Sequence, residues 1–147
     1  MAALTGTVAL AGKNGEIGQQ YLARGSYTFA AEIEDADTIT WSNILPAGGA
    51  KVVGFRIYGQ EIDTNATPTA TFIVGNTDDT DGYLKTKGGA VGLQNSLAGQ
   101  LFYAGDGDLI TSGSIITNRN VVLTMTAATA TGASSGTIYI ELVLEGA

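Results

Sequence analysis

The regular alternation of apolar and polar positions is the strongest signal in this chain. In "SYTFAAEI", Tyr27, Phe29, Ala31 and Ile33 fall on one side and Ser26, Thr28, Ala30 and Glu32 on the other. A period of two is that of a half-buried strand. "DTITW" continues it through Ile39 and Trp41, and "AKVVGFRIYGQ" sets Val53, Phe55 and Ile57 against Arg56 and Tyr58. "GTIYIELVLEG" places Ile138, Ile140, Leu142 and Leu144 inward and Thr137, Tyr139 and Glu141 outward. "TATFIVG", "GQLFYAG" and "NVVLTMTA" lie between them. The runs are separated by "LPAGG", "TNATP", "NTDDTDG", "AGDGD", "ITNRN" and "TGASSG", all compositions that reverse a chain. In "LPAGG", Pro46 presets the first central turn position and Gly48 supplies a positive φ. No window of twelve residues carries a helical stripe. Seven or eight short strands with regular turns predict an all-β fold, an antiparallel β-sandwich or jelly roll.

Residues 1–25 break the pattern. Leu10, Ile17, Tyr21 and Leu22 stand there as separated apolar points among small, polar and glycine positions. Two readings follow: a loose terminus, or an extended N-terminal arm that orders on a partner through those four anchors. The organisation expected is an arm over 1–25 and a β-sandwich domain over 26–147.

Composition narrows the chemistry. The chain has 147 residues, enough for one core without staples. It contains neither cysteine nor histidine. Disulfides, histidine-based nucleophilic catalysis and histidine-zinc chemistry are thereby excluded. Fourteen acids against seven bases give a net charge of −7. Nucleic acid is not an expected partner, because binding it requires Lys and Arg on phosphates. The opening "MAALTGTVALAGKNGEIGQQ" has no basic n-region and no unbroken apolar run, so it reads as neither signal peptide nor membrane span. Synthesis in the cytoplasm and no membrane association are expected.

The remaining chemistry lies in carboxylates. In "NTDDTDGYL", Asp79, Asp81 and Gly82 match three marks of an EF-hand loop, but Thr77 and Gly88 occupy its first and last ligand positions. Asp78, Asp79 and Asp81, joined by Asp106 and Asp108, form a candidate calcium loop; the competing reading is an ordinary turn built from Asp and Gly. Glu32, Glu34, Asp35 and Asp37 read as a solvated corner rather than a hydrolase pair. Asn65-Ala66-Thr67 is a formal glycosylation sequon, expected to stay unmodified without secretion. No phosphate-binding glycine loop occurs, and neither enzymatic activity nor a cofactor is expected.

"DTITWSNILPAGGAKVVGFRIYGQEIDTNATPTATFIVGNTDDTDGYL" resembles the small head structural proteins of tailed bacteriophages that decorate or cement the capsid. The shared features are an acidic-Thr-Ile strand, an "LPAG" turn, a "KVVGFRI" strand, "DTNATPTATF-VG" and a "D-DGYL" loop, and the likeness extends over residues 26–144. It implies a jelly-roll-like β domain, frequently a homotrimer, on the outer surface of an icosahedral shell, with the major capsid protein as partner. The acidic charge agrees with an outside position, since packaged DNA repels it. A different reading is a carbohydrate-binding or host-adhesion sandwich, for which Tyr58, Tyr83, Tyr103 and Tyr139 are the candidate aromatics.

Overall fold

The computed structural model describes residues 2–10, 20–30, 33–60, 70–88, 100–127 and 136–145. Among these, ten strands and a single turn of helix occur. The strands are β1 (Ala3–Thr5), β2 (Thr7–Leu10), β3 (Gln20–Thr28), β4 (Thr38–Trp41), β5 (Lys51–Gln60), β6 (Thr71–Gly75), β7 (Leu84–Gly88), β8 (Gln100–Ala104), β9 (Val121–Ala127) and β10 (Thr137–Glu145). They form two five-stranded sheets, one in the order β1-β4-β9-β6-β7 and the other β2-β3-β10-β5-β8. From β3 onward the chain alternates between the sheets except at the β6-β7 hairpin, which stays in one sheet, and the antiparallel pairs β3:β10, β4:β9, β5:β8 and β6:β7 nest inside one another. Such nesting is what rolling up one long hairpin produces, the logic of a jelly roll. The all-β antiparallel sandwich expected from the alternation is the fold observed.

Each inner face follows the period-2 pattern. Ile138, Ile140, Leu142 and Leu144 of β10, Phe55 and Ile57 of β5, and Val121, Leu123 and Met125 of β9 are buried, with Trp41, Phe72 and Tyr83 the bulkiest side chains between the sheets. Val53 departs from the expected register. Val143 pairs with Gly54 and Leu144 with Val52, so Val53 is an inserted residue that turns outward and is 40% exposed. The predicted turn at 46–49 forms with Gly48 at φ 84, yet its hydrogen bond runs from Gly49 N to Pro46 O at 2.9 Å. Pro46 therefore starts the turn instead of occupying its first central position.

The leading segment differs most from expectation. Residues 3–10 and 20–28 do not extend away from the domain; they are strands of it. β1 lies parallel to β4 at the edge of one sheet, and β2 pairs with β3 at the edge of the other. The strand expected to begin at Ser26 starts at Gln20 and ends at Thr28, paired along its length with β10. The physical reason is that small residues here are required by packing. A Cβ on Gly6 would lie 2.2 Å from Trp41 Nε1, and one on Gly25 would lie 2.5 Å from Trp41 Cδ1. The indole thus fills the space where the chain passes from one sheet to the other, and its N–H donates to Ser26 O at 3.0 Å. Asp37 fastens the same segment: its buried carboxylate accepts Ala2 N at 2.6 Å and Glu34 N at 2.8 Å. Asp37 is therefore not part of a solvated corner, although Glu34 and Asp35 are exposed as expected.

Two outcomes test this packing. Phe55→Ala is expected to cost about 3–5 kcal/mol in denaturant unfolding, whereas Val53→Ala, on the outer face, costs roughly 0.5 kcal/mol or less. Deleting residues 2–10 strips the cover from Trp41, the only tryptophan; a lower melting temperature and red-shifted tryptophan fluorescence are expected. Unchanged fluorescence in the truncated chain would show that β1 and β2 do not seal the core.

Candidate interaction face

The outer faces of the two sheets differ in chemistry because the outward positions of their strands differ. On the β1-β4-β9-β6-β7 sheet, register places Thr38 opposite Thr124 and Thr40 opposite Val122, while Thr71 and Thr126 share a 2.6 Å hydroxyl hydrogen bond. These are small, neutral side chains. On the β2-β3-β10-β5-β8 sheet, the outward row through Arg24, Glu141 and Arg56 crosses three adjacent strands. Glu141 Oε2 accepts from Arg24 Nε at 2.8 Å, and Glu141 Oε1 pairs with Arg56 Nη2 at 2.5 Å. The Glu141 side chain is 5% exposed, whereas the Arg24 and Arg56 side chains are 51% and 48% exposed. One buried acid thus holds two half-exposed guanidinium groups in fixed positions.

The neighbouring row adds aromatic surface. Tyr139 and Tyr58 stand opposite each other in register, with ring centroids 5.4 Å apart and planes inclined by 21°. The Arg56 guanidinium carbon lies 5.3 Å from the Tyr58 ring centroid, within cation–π range. Tyr139 is 42% exposed. Leu22 lies opposite Val143 on this face, both half-buried. Arginine and tyrosine are the residue types that dominate binding energy at protein interfaces. Sequence reasoning placed Arg56, Tyr58, Tyr139 and Glu141 outward but did not join them, and it missed Arg24 because β3 was read as arm.

The four arm residues do not form one surface. Tyr21 packs against the core at the β3 end, Leu22 points to the outer face, Leu10 stands in register with Arg24 at the edge of the sheet, and Ile17 lies outside the described residues. Among the four aromatic candidates, Tyr83 is fully buried and stacks on Phe55, and burial pushes its hydroxyl well above the ordinary tyrosine range. Tyr103 is half-buried, edge-on to Phe72.

The acidic turn is organised by a residue that the metal reading overlooked. Buried Asn76 accepts Asp78 N and Asp79 N, each at 2.9 Å, on its Oδ1, and its own N–H donates to Asp79 O at 3.0 Å. Asp78 accepts a 3.3 Å bond from Asn118 Nδ2, while Asp79 hydrogen-bonds with Asp81. Among the described residues no three acids converge as metal ligands. Partial burial, the hydrogen bond with Asp81 and the nearby charges of Asp81 and Asp108 raise the Asp79 carboxyl above its ordinary value.

A raised carboxyl in the folded state favours the native protein at pH below the ordinary carboxylate pKa, and that increment is lost as pH rises through the raised value. Asp79→Asn is therefore expected to raise the melting temperature at pH 7 and to have little effect near pH ~3, where the carboxyl is protonated in both states. Equal shifts at both pH values would exclude charge as the cause. Glu141→Gln leaves two guanidinium groups side by side without their carboxylate. A loss of about 1–3 kcal/mol is expected, discounted for the half-exposed arginines and smaller at high salt.

No family model and no curated protein matches the chain. Solved structures do. A chain of the cyanophage Pam1 capsid asymmetric unit superposes with a TM-score of 0.67 at 24% identity, covering 93% of this chain and 91% of that one. A chain from the capsid of Ralstonia phage GP4 gives a TM-score of 0.63 at 15% identity over 99% of both. A chain from the capsid of Helicobacter pylori bacteriophage KHP30 gives 0.51 at 16% identity, covering 88% of this chain and 89% of that one. The rolled sandwich described above is thus, along nearly its whole length, a fold found in the capsids of phages.

Proposed function

We propose that this chain is a structural protein of a phage virion that binds the outer surface of the capsid and stabilises it by bridging subunits of the major capsid protein. The observation that carries the reading is the fold shared with phage capsid chains over 93% and 99% of the length. The net charge of −7 supports the outer location, since a surface facing packaged DNA is repelled by phosphate. The work of such a protein is adhesion. A small homo-oligomer, a trimer in this reading, engages several coat subunits at once, and effective concentration multiplies contacts that are individually modest. Of the leading apolar residues, this reading assigns the contact to Leu22, on the outer face, and Leu10, at the sheet edge.

The sugar-binding alternative fits the aromatic geometry less well. A sugar ring stacks on a free, flat aromatic face, and Tyr58 and Tyr139 turn faces toward each other while Arg56 approaches Tyr58.

The test is to add the purified protein to capsids of its own phage that lack it and to image them by cryo-electron microscopy. Density on the outside at junctions between coat subunits, with a higher temperature of capsid disruption, is expected. Density on the inner surface, or no binding to otherwise intact shells, would overturn the reading.

A further inference from the structure

Two compact and oppositely charged features lie on different parts of this molecule. The first is the outer face around Arg24 and Arg56, with two guanidinium groups against one carboxylate on a chain whose net charge is −7. Because each arginine gives only part of its donor set to Glu141 and stays half exposed, N–H groups remain for a second carboxylate. Tyr139 and Val53, 42% and 40% exposed, add apolar area on the same face. The second feature is the turn after β6, where Asp78 and Asp81 are exposed and the backbone is fixed by Asn76.

We infer that copies of this chain associate head to tail, the acidic turn of one copy docking on the arginine-tyrosine face of the next. Charge identifies the occupant: a cationic, aromatic face on an acidic protein calls for an acidic partner, and this chain itself presents exposed carboxylates on a rigid turn. Both halves are set before contact, the guanidinium groups by Glu141 and the turn by Asn76, so little side-chain entropy is lost on docking. Since the two surfaces are different, the contact is heterologous, and a heterologous contact that closes makes a ring. Face-to-face pairing is disfavoured, because it would bring cationic rows together. The inference rests on the homo-oligomer of the proposed function and names its contact, and it can fail separately from binding to the capsid, since association in solution is measured without a shell.

The test is sedimentation equilibrium of the purified full chain at low and high salt across micromolar concentrations, with circular dichroism and Trp41 fluorescence as controls on folding. The wild-type chain is expected to associate at low salt and to dissociate as salt screens the contact. Asp78→Lys with Asp81→Lys reverses two exposed charges, removes the contacts of Asp78 with Asn118 and of Asp81 with Asp79, leaves the Asn76 bonds that set the turn, and is expected to weaken association at least about tenfold, a change of about 1.4 kcal/mol. Tyr139→Ser, which leaves the ion pairs intact, is expected to weaken it as well. A wild-type monomer at every salt concentration would overturn the inference, and so would association unaffected by either the turn variant or Tyr139→Ser.

Discussion

The indole of Trp41 occupies the point where the two sheets and the leading strands meet, and much of the architecture depends on its fit. Gly6 and Gly25 approach the ring so closely that neither position admits a Cβ, and the indole N–H satisfies Ser26 O. Interiors packed to crystal density leave no slack for such a group to move aside. The consequence is that β1 and β2 are held in place by the core itself. Asp37 reinforces the arrangement by accepting the backbone of Ala2 and Glu34, so a buried carboxylate is satisfied by the strand it fastens.

With the core sealed, the outer faces are left to chemistry. One carries a threonine-rich surface on which Thr71 and Thr126 share a hydroxyl hydrogen bond. The other carries Arg24, Glu141 and Arg56 in one row and the stacked tyrosines in the next. Burying Glu141 has a desolvation cost, offset because both its oxygens are paired with cations across adjacent strands. That gives the face fixed guanidinium groups instead of freely rotating ones. A protein that works by adhesion benefits from such preorganisation, because each contact then orders less on binding.

The acidic turn is a counterpart in which local chemistry decides more than charge does. Its aspartates suggested a cation site, but Asn76 captures two backbone N–H groups and sends Asp78 toward Asn118 while Asp79 meets Asp81. Spacing in sequence alone does not reveal this, because the direction of each carboxylate is set by the backbone hydrogen bonds of the turn.

By itself the sequence determined the class of fold, the inward set of β10, the inward Phe55 and Ile57 of β5, the burial of Trp41 and the turn at Gly48, since each depends on a period of two or on a local backbone preference. Tertiary structure decided what depends on contacts between distant positions. It decided that residues 3–10 and 20–28 belong to the sheets, because their glycines and small residues read as a weak pattern until the indole they accommodate is in place. It decided that Val53 faces outward, because a bulge is defined by the partner strand and leaves no mark in alternation. And it brought Arg24, Arg56 and Glu141 together, because 117 positions separate Arg24 from Glu141 along the chain and only the register of β3 on β10 makes them neighbours.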